Sequence, residues 1–114
     1  MGPHYLSRIL SARSIAVIGA SSQADAVGAM IFRNLLAMGY EGELYPVNPK
    51  YRKVQGRKCY PDIGAIDRNV DLAVIATPAQ SVPGLVRECG PAGVQGAIVM
   101  SAGFSEEGPG GTRL

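Results

Sequence analysis

The chain is poor in the residues that build metal and redox centres: 114 residues hold two cysteines and one histidine. Cys59 and Cys89 have neither metal-ligand spacing nor the density of a disulfide scaffold, so a reduced, cytoplasmic setting is expected. His4 stands in Met1-Gly2-Pro3-His4, a segment that reads partly as a vector-derived remnant, and it is no candidate for proton or phosphoryl transfer. Asp25, Asp71, Glu106 and Glu107 form no paired arrangement, so neither a catalytic residue nor a metal ligand is assigned. No apolar run approaches the ~20 residues of a membrane helix, and no signal peptide is expected. Eleven cations against nine anions give a net charge of +2, too balanced for a nucleic-acid partner. Charge is local instead: Lys50, Arg52, Lys53, Arg57 and Lys58 crowd one short segment, which points to a single anion site.

With 46% hydrophobic residues, the chain can build one core. Tyr5, Leu6, Ile9 and Leu10 lie at helical spacing, so residues 1–12 read as a lead-in helix on the domain edge. Ser14–Gly19 is a continuous apolar run closed by glycine, the mark of a strand buried on both faces. Val27, Met30, Ile31, Leu35 and Met38 recur at helical steps, and Gly39 follows as a C-terminal cap. Glu43–Val47 reads as a second strand, although Pro46 is unusual for a central one. A weak third strand is expected over Arg57–Tyr60 and a turn or short helix around Ile63–Ile66. A strong strand follows over Val70–Ala76, then a helix over Ser81–Cys89 with Ser81 as its N-cap, and a last strand over Val94–Met100. Buried strands alternating with helices predict an α/β fold, a Rossmann-like doubly wound parallel sheet. The domain is expected to span residues 13–104, a single domain truncated from a longer polypeptide, with residues 105–114 a polar tail toward absent downstream domains.

In such a sheet, ligands bind beyond the carboxyl ends of the strands. Four places qualify: Gly19–Gly28, Asn48–Lys50, Thr77–Pro78 and Ser101–Gly103. Gly19, Ala20, Ser21 and Ser22 lead to Gly28 at a helix start, where free backbone N–H groups and the helix dipole suit a phosphate. The loop is neither the GxGxxG of dinucleotide binders nor the GxxxxGK[ST] of a P-loop. An NAD site places a carboxylate after the second strand, but no carboxylate lies between Leu44 and Arg57. Asn48, Pro49 and Lys50 stand there, and a cation fits a phosphorylated ribose: the 2′-phosphate of NADP or the 3′-phosphate of coenzyme A. Thr77, Pro78 and Ala79 bring a hydroxyl and a rigid turn, Val82 and Pro83 open the next helix beside an apolar slot, and Ser101, Ala102 and Gly103 border it. Cys59 follows a basic pair but reads as a small strand residue, as Cys89 reads as a helix residue.

Four segments carry a resemblance: Ile15–Ser21 (IAVIGAS), Tyr45–Lys50 (YPVNPK), Asp71–Pro78 (DLAVIATP) and Ser101–Phe104 (SAGF). Together they resemble the N-terminal CoA-binding domain of NDP-forming acyl-CoA synthetases, which include the ADP-forming acetate–CoA ligases. The succinyl-CoA synthetase α subunit is a more distant relative, and the same module occurs fused to GNAT-type protein acetyltransferases. The resemblance implies a coenzyme A or acyl-CoA binding module. Gly19, Ala20, Ser21 and Ser22 would hold the CoA phosphates, and Lys50 would meet the adenosine end. Thr77, Pro78, Ala79, Val82 and Pro83 would contact pantetheine and diphosphate, and Ser101–Gly103 would border the thiol. It also implies that the phosphorylated histidine and the ATP-grasp module belong to downstream ligase and ATP-grasp domains, so the isolated domain binds CoA without making acyl-CoA. Gln23–Ala26 departs from the family pattern, with Asp25 near the expected phosphate. An NADP-dependent oxidoreductase fragment and a CoA-responsive regulatory module are the alternatives.

Overall fold

The computed structural model describes residue 9 and residues 11–100. Four strands form one parallel sheet: β1 (Ser14–Ile18), β2 (Glu43–Val47), β5 (Leu72–Ile75) and β6 (Gly96–Val99), in spatial order β2-β1-β5-β6. Two short strands, β3 (Lys53–Val54) and β4 (Arg57–Lys58), pair antiparallel as a separate hairpin. The main helices are α1 (Val27–Ala37) and α2 (Val82–Cys89).

The sheet is doubly wound, and β1 shows why. Its five residues are all buried, and successive side chains enter opposite layers. Ile15 and Val17 join Phe32 and Leu35 of α1, whereas Ala16 and Ile18 join Val82 and Cys89 of α2. The chain runs from β1 to β2 on one side and then to β5 on the other, so the strand order reverses at the β1/β5 boundary. A doubly wound sheet opens its binding crevice at that reversal.

Helix α1 ends as its glycine predicts. Gly39 has φ +78°, its N–H donates to the Leu36 carbonyl at 3.1 Å, and the Tyr40 N–H donates to the Leu35 carbonyl at 3.2 Å. These are the two bonds of a Schellman motif. The buried stripe of α1 differs from the expected one: it is Gly28, Ala29, Phe32 and Leu35, while Met30 and Met38 are exposed. Gly28 sets this rotation, because it presses α1 against the end of β1.

Pro46 lies within β2, and β2 is an edge strand. The Pro46 carbonyl accepts from the Tyr60 N–H at 2.9 Å, on the side away from β1, so the donor that proline lacks also faces away from the sheet ladder. The weak strand expected over Arg57–Tyr60 is corrected. Only Arg57–Lys58 is strand; it pairs with Lys53–Val54 rather than the main sheet, and Tyr60 alone bridges to Val47. Gln55 (φ 50°) and Gly56 (φ 81°) make the two-residue turn between them.

Other boundaries shift by a few residues. The strand expected over Val70–Ala76 covers Leu72–Ile75, and the last strand covers Gly96–Val99. Asp71 joins two strand starts, its carboxylate accepting from the Arg13 N–H at 2.8 Å. Ile9 is buried against the α1-face core, and residues 1–8 and 10 of the expected lead-in helix lie outside the described residues.

Candidate functional site

A cleft of about 320 Å³ opens at the carboxyl ends of the strands. Ile18 and Gly19 after β1, Val47, Asn48 and Pro49 at the end of β2, and Thr77 after β5 converge on it. Its remaining walls are Pro61–Ile63 and the α2 side, with Ser81, Leu85 and Glu88. Three of the four expected strand ends therefore meet in one place, and Ser101, Ala102 and Gly103 lie outside the described residues.

Backbone proximity dictates the glycines. Gly19 has φ +98°, and a Cβ there would lie 2.8 Å from the Ala76 carbonyl oxygen. A Cβ on Gly28 would lie 2.0 Å from the Gly19 carbonyl oxygen. Both positions exclude a side chain, because each missing Cβ would point into neighbouring backbone; the two glycines let the β1–α1 loop pack directly against the end of β5 and the start of α1.

The donors of that loop begin one residue later than expected. The Gly19 N–H donates to the Val47 carbonyl at 2.8 Å and is not open to a ligand. Among the described residues, the N–H groups of Ala20, Ser21 and Ser22 have no acceptor, although Ala20 and Ser21 are buried. Ser21 Oγ accepts from the Gln23 N–H at 3.0 Å and lies 3.3 Å from the Tyr51 hydroxyl. The exposed Ser22 donates its Oγ to the Lys53 carbonyl at 3.5 Å. Asp25 is exposed, and α1 starts from Ala26 without a side-chain cap, which leaves the helix end open.

Asn48 clamps two strand ends together. Its Nδ2 donates to the Ala20 carbonyl at 2.9 Å, and its Oδ1 accepts from the Lys50 N–H at 2.9 Å. With one bond at each end, Asn48 shapes the rim and keeps its second Nδ2 hydrogen. Lys50 is exposed, just beyond Pro49, and is not part of the cleft wall.

Thr77 is the converse case. Its Oγ1 is buried and has no hydrogen-bond partner among the described residues. Such an orphaned hydroxyl costs about 1–3 kcal/mol unless a partner arrives. Nearby, the exposed Ser81, expected as the N-cap of α2, bonds differently: its Oγ donates to the Pro78 carbonyl at 2.9 Å, and α2 begins at Val82 without a side-chain cap. Val82 is buried in the α2-face core, and Pro83 and Pro78 are exposed. The apolar wall comes instead from Leu85, one turn along α2. Ser81, Leu85 and Glu88 follow a four- then three-residue step, so a helical stripe counted from the strand end would have found them. Asp62 is tied locally, its Oδ1 accepting from the Ala65 N–H at 2.9 Å.

Burial pushes both thiols up, that of Cys59 and that of Cys89, so neither is primed as a nucleophile. Among the described residues no group of three metal-ligating side chains occurs, and no helix is long and apolar enough to cross a membrane.

These features fit coenzyme A in parts. Amides without an acceptor and an open helix end suit its diphosphate, the Thr77 hydroxyl is unpartnered at the cleft, and a cleft of this volume suits one segment of a long ligand. A family model described as a CoA binding domain matches residues 13–108. An ADP-forming acetate–CoA ligase of Archaeoglobus fulgidus is 48% identical over 109 residues, covering 96% of this chain and 16% of that protein. The α subunit of an ADP-forming acetate–CoA ligase of Pyrococcus furiosus is 41% identical over 113 residues, covering 96% of this chain and 24% of the subunit. Among solved structures, the dinucleotide forming acetyl-coenzyme A synthetase 1 of Ca. Korarchaeum cryptofilum, in complex with phosphate and ADP, superposes with a TM-score of 0.80. It is 42% identical, over 92% of this chain and 23% of that one. The chain thus spans about a quarter or less of the length of these three relatives.

Proposed function

This chain belongs to the CoA-binding domain family, and from that membership we propose that its strand-end crevice is where CoA lies and that it serves a larger ADP-forming acyl-CoA ligase. It is a CoA-binding module. CoA supplies the thiol on which an acyl group is carried; the chain's own residues bind and orient it. The observation that carries the site is the convergence of Gly19, Asn48 and Thr77 on one cleft at the reversal of strand order.

In this reading the diphosphate lies over the β1–α1 loop. The Ala20, Ser21 and Ser22 amides and the end of α1 stabilise its charge, and Gly19 and Gly28 let the backbone beneath it close up. Thr77 Oγ1 donates to a carbonyl or phosphate oxygen of the arm. Lys50, on the rim that Asn48 holds, meets the 3′-phosphate; Pro49, Pro78 and Ala79 flank the arm, and Ser101–Gly103 border the thiol. Acyl transfer and phosphoryl chemistry belong to ligase and ATP-grasp domains outside this chain. Two buried free thiols suit a reducing cytoplasm.

Calorimetry with CoA and with dephospho-CoA tests the assignment. Wild type should bind CoA more tightly, and Lys50→Ala should weaken CoA by about fivefold while leaving dephospho-CoA nearly unchanged. Equal affinity of wild type for both ligands removes the role of Lys50. No binding by a folded sample at millimolar CoA removes the site.

A further inference from the structure

The hairpin β3–β4 adds no strand to the four-stranded sheet, yet the hairpin and the segment leading into it are tied to the β1–α1 loop and to α1 at three points. Gln55 Nε2 donates to the Ala29 carbonyl at 3.2 Å, Ser22 Oγ donates to the Lys53 carbonyl, and the Tyr51 hydroxyl meets Ser21 Oγ. Tyr51 enters this segment half-buried, packed against the α1-face core. Ser21 is 7% exposed.

A count of protons at that contact is informative. Two hydroxyls carry two protons, and the bond between them uses one. The Gln23 N–H fills a lone pair of Ser21 Oγ and uses none. One hydroxyl proton therefore has no acceptor among the described residues. It stands beside the amides of Ala20 and Ser21, which also lack acceptors among the described residues. Either hydroxyl can donate in that bond; with Ser21, the more enclosed residue, donating to Tyr51, the phenolic O–H carries the free proton.

We infer that Tyr51 is a phosphate-binding residue of this domain, aimed by Ser21 as its positioning residue, and that the hairpin is the outer wall of the diphosphate cradle. The inference rests on the reading that the CoA phosphates lie over the β1–α1 loop. The ligand chemistry is specific: the acceptor is a diphosphate oxygen, not the 3′-phosphate assigned to Lys50.

The test is titration of Tyr51→Phe with CoA and with dephospho-CoA, alongside urea unfolding. The substitution keeps the ring in the core and removes only the hydroxyl. We expect about a fivefold loss for both ligands, with the unfolding midpoint unchanged. Ser21→Ala should weaken binding as well, and the double variant should lose less than the product of the two single losses, because both act through one proton. Wild-type affinity in Tyr51→Phe overturns the inference, as does a loss confined to CoA, a lowered midpoint that accounts for the weaker binding, or multiplicative losses in the double variant. Those results leave CoA binding by the domain intact, whereas failure of the wild type to bind CoA removes the underlying reading itself.

Discussion

The two faces of the sheet offer a ligand different things. On the α1 face, the helix start is crowded against β1, and the polar side chains around it are engaged within the chain: Ser21 with Gln23 and Tyr51, Ser22 with Lys53, Asn48 with Ala20 and Lys50. What remains is backbone, held in place. On the α2 face, the helix start is loose enough to begin with a short 3₁₀ turn at Ala79–Ser81, and the side chain of Thr77 is left with an orphaned hydroxyl beside an apolar wall. The first arrangement suits a charged group that needs several fixed dipoles. The second suits a less polar segment recognised by one directed bond.

Two helix glycines should test this contrast most sharply. Gly28→Ala places a methyl 2.0 Å from a backbone oxygen, so β1 and α1 must part. We expect destabilisation of about 3 kcal/mol or more, at the upper end of overpacking effects, and loss of CoA binding with it. Gly84 stands in the same region of α2, but a Cβ there meets nothing within 4 Å. Gly84→Ala should therefore stabilise by about 0.5–1 kcal/mol through helix propensity alone. Urea midpoints of the two variants that move in the same direction would refute the contrast between a crowded and a loose helix start.

Thr77→Val should produce the next largest effect, and its two readouts should oppose each other. Valine matches threonine in shape and removes the orphaned hydroxyl. The free protein should gain about 1 kcal/mol or stay unchanged, while CoA affinity should fall about fivefold. If stability and affinity fall together, Thr77 Oγ1 has a partner inside the protein and no role toward the ligand.

The sequence made the sheet readable because its strands are buried on both faces and stand out as apolar runs; β2 is found over the expected Glu43–Val47. The hairpin was not readable in the same way. Two-residue strands show no alternation, and Gln55 at φ 50° is not one of the residues that announce a turn with positive φ. The strand ends were legible as the place where a crevice opens because topology alone places it, and Gly19, Asn48, Pro49 and Thr77 do line the cleft. Val82 follows a different logic. It opens α2 in sequence, but the helix turns it into the core and brings Leu85 and Glu88 to the cleft one and two turns later. The engagement of the Gly19 amide by Val47 is a register effect between neighbouring strands, set by a pairing that local sequence does not encode.

Alkaline pH gives the smallest expected difference between the faces. Cys59 packs in the α1-face core and Cys89 in the α2-face core, and burial raises the pKa of each thiol above its ordinary value of 9.0. The negative charge of Glu88 adds to the rise at Cys89. As pH passes about 9, the unfolded chain releases its thiol protons first and binds fewer than the folded chain, so folding stability must fall. Below that range these groups contribute no slope. Buried Tyr45 and half-buried Tyr40 are raised in the same sense from 10.0, mainly by burial, and extend the decline to higher pH. Urea midpoints between pH 7 and 10 should show the decline in wild type, and a shallower one in Cys59→Ala and in Cys89→Ala. Glu88→Gln should flatten only the Cys89 share, so that adding it to Cys89→Ala changes the slope little. An unchanged slope in both cysteine variants would mean that the thiols are solvated in the folded chain and that neither core is as closed as its packing implies.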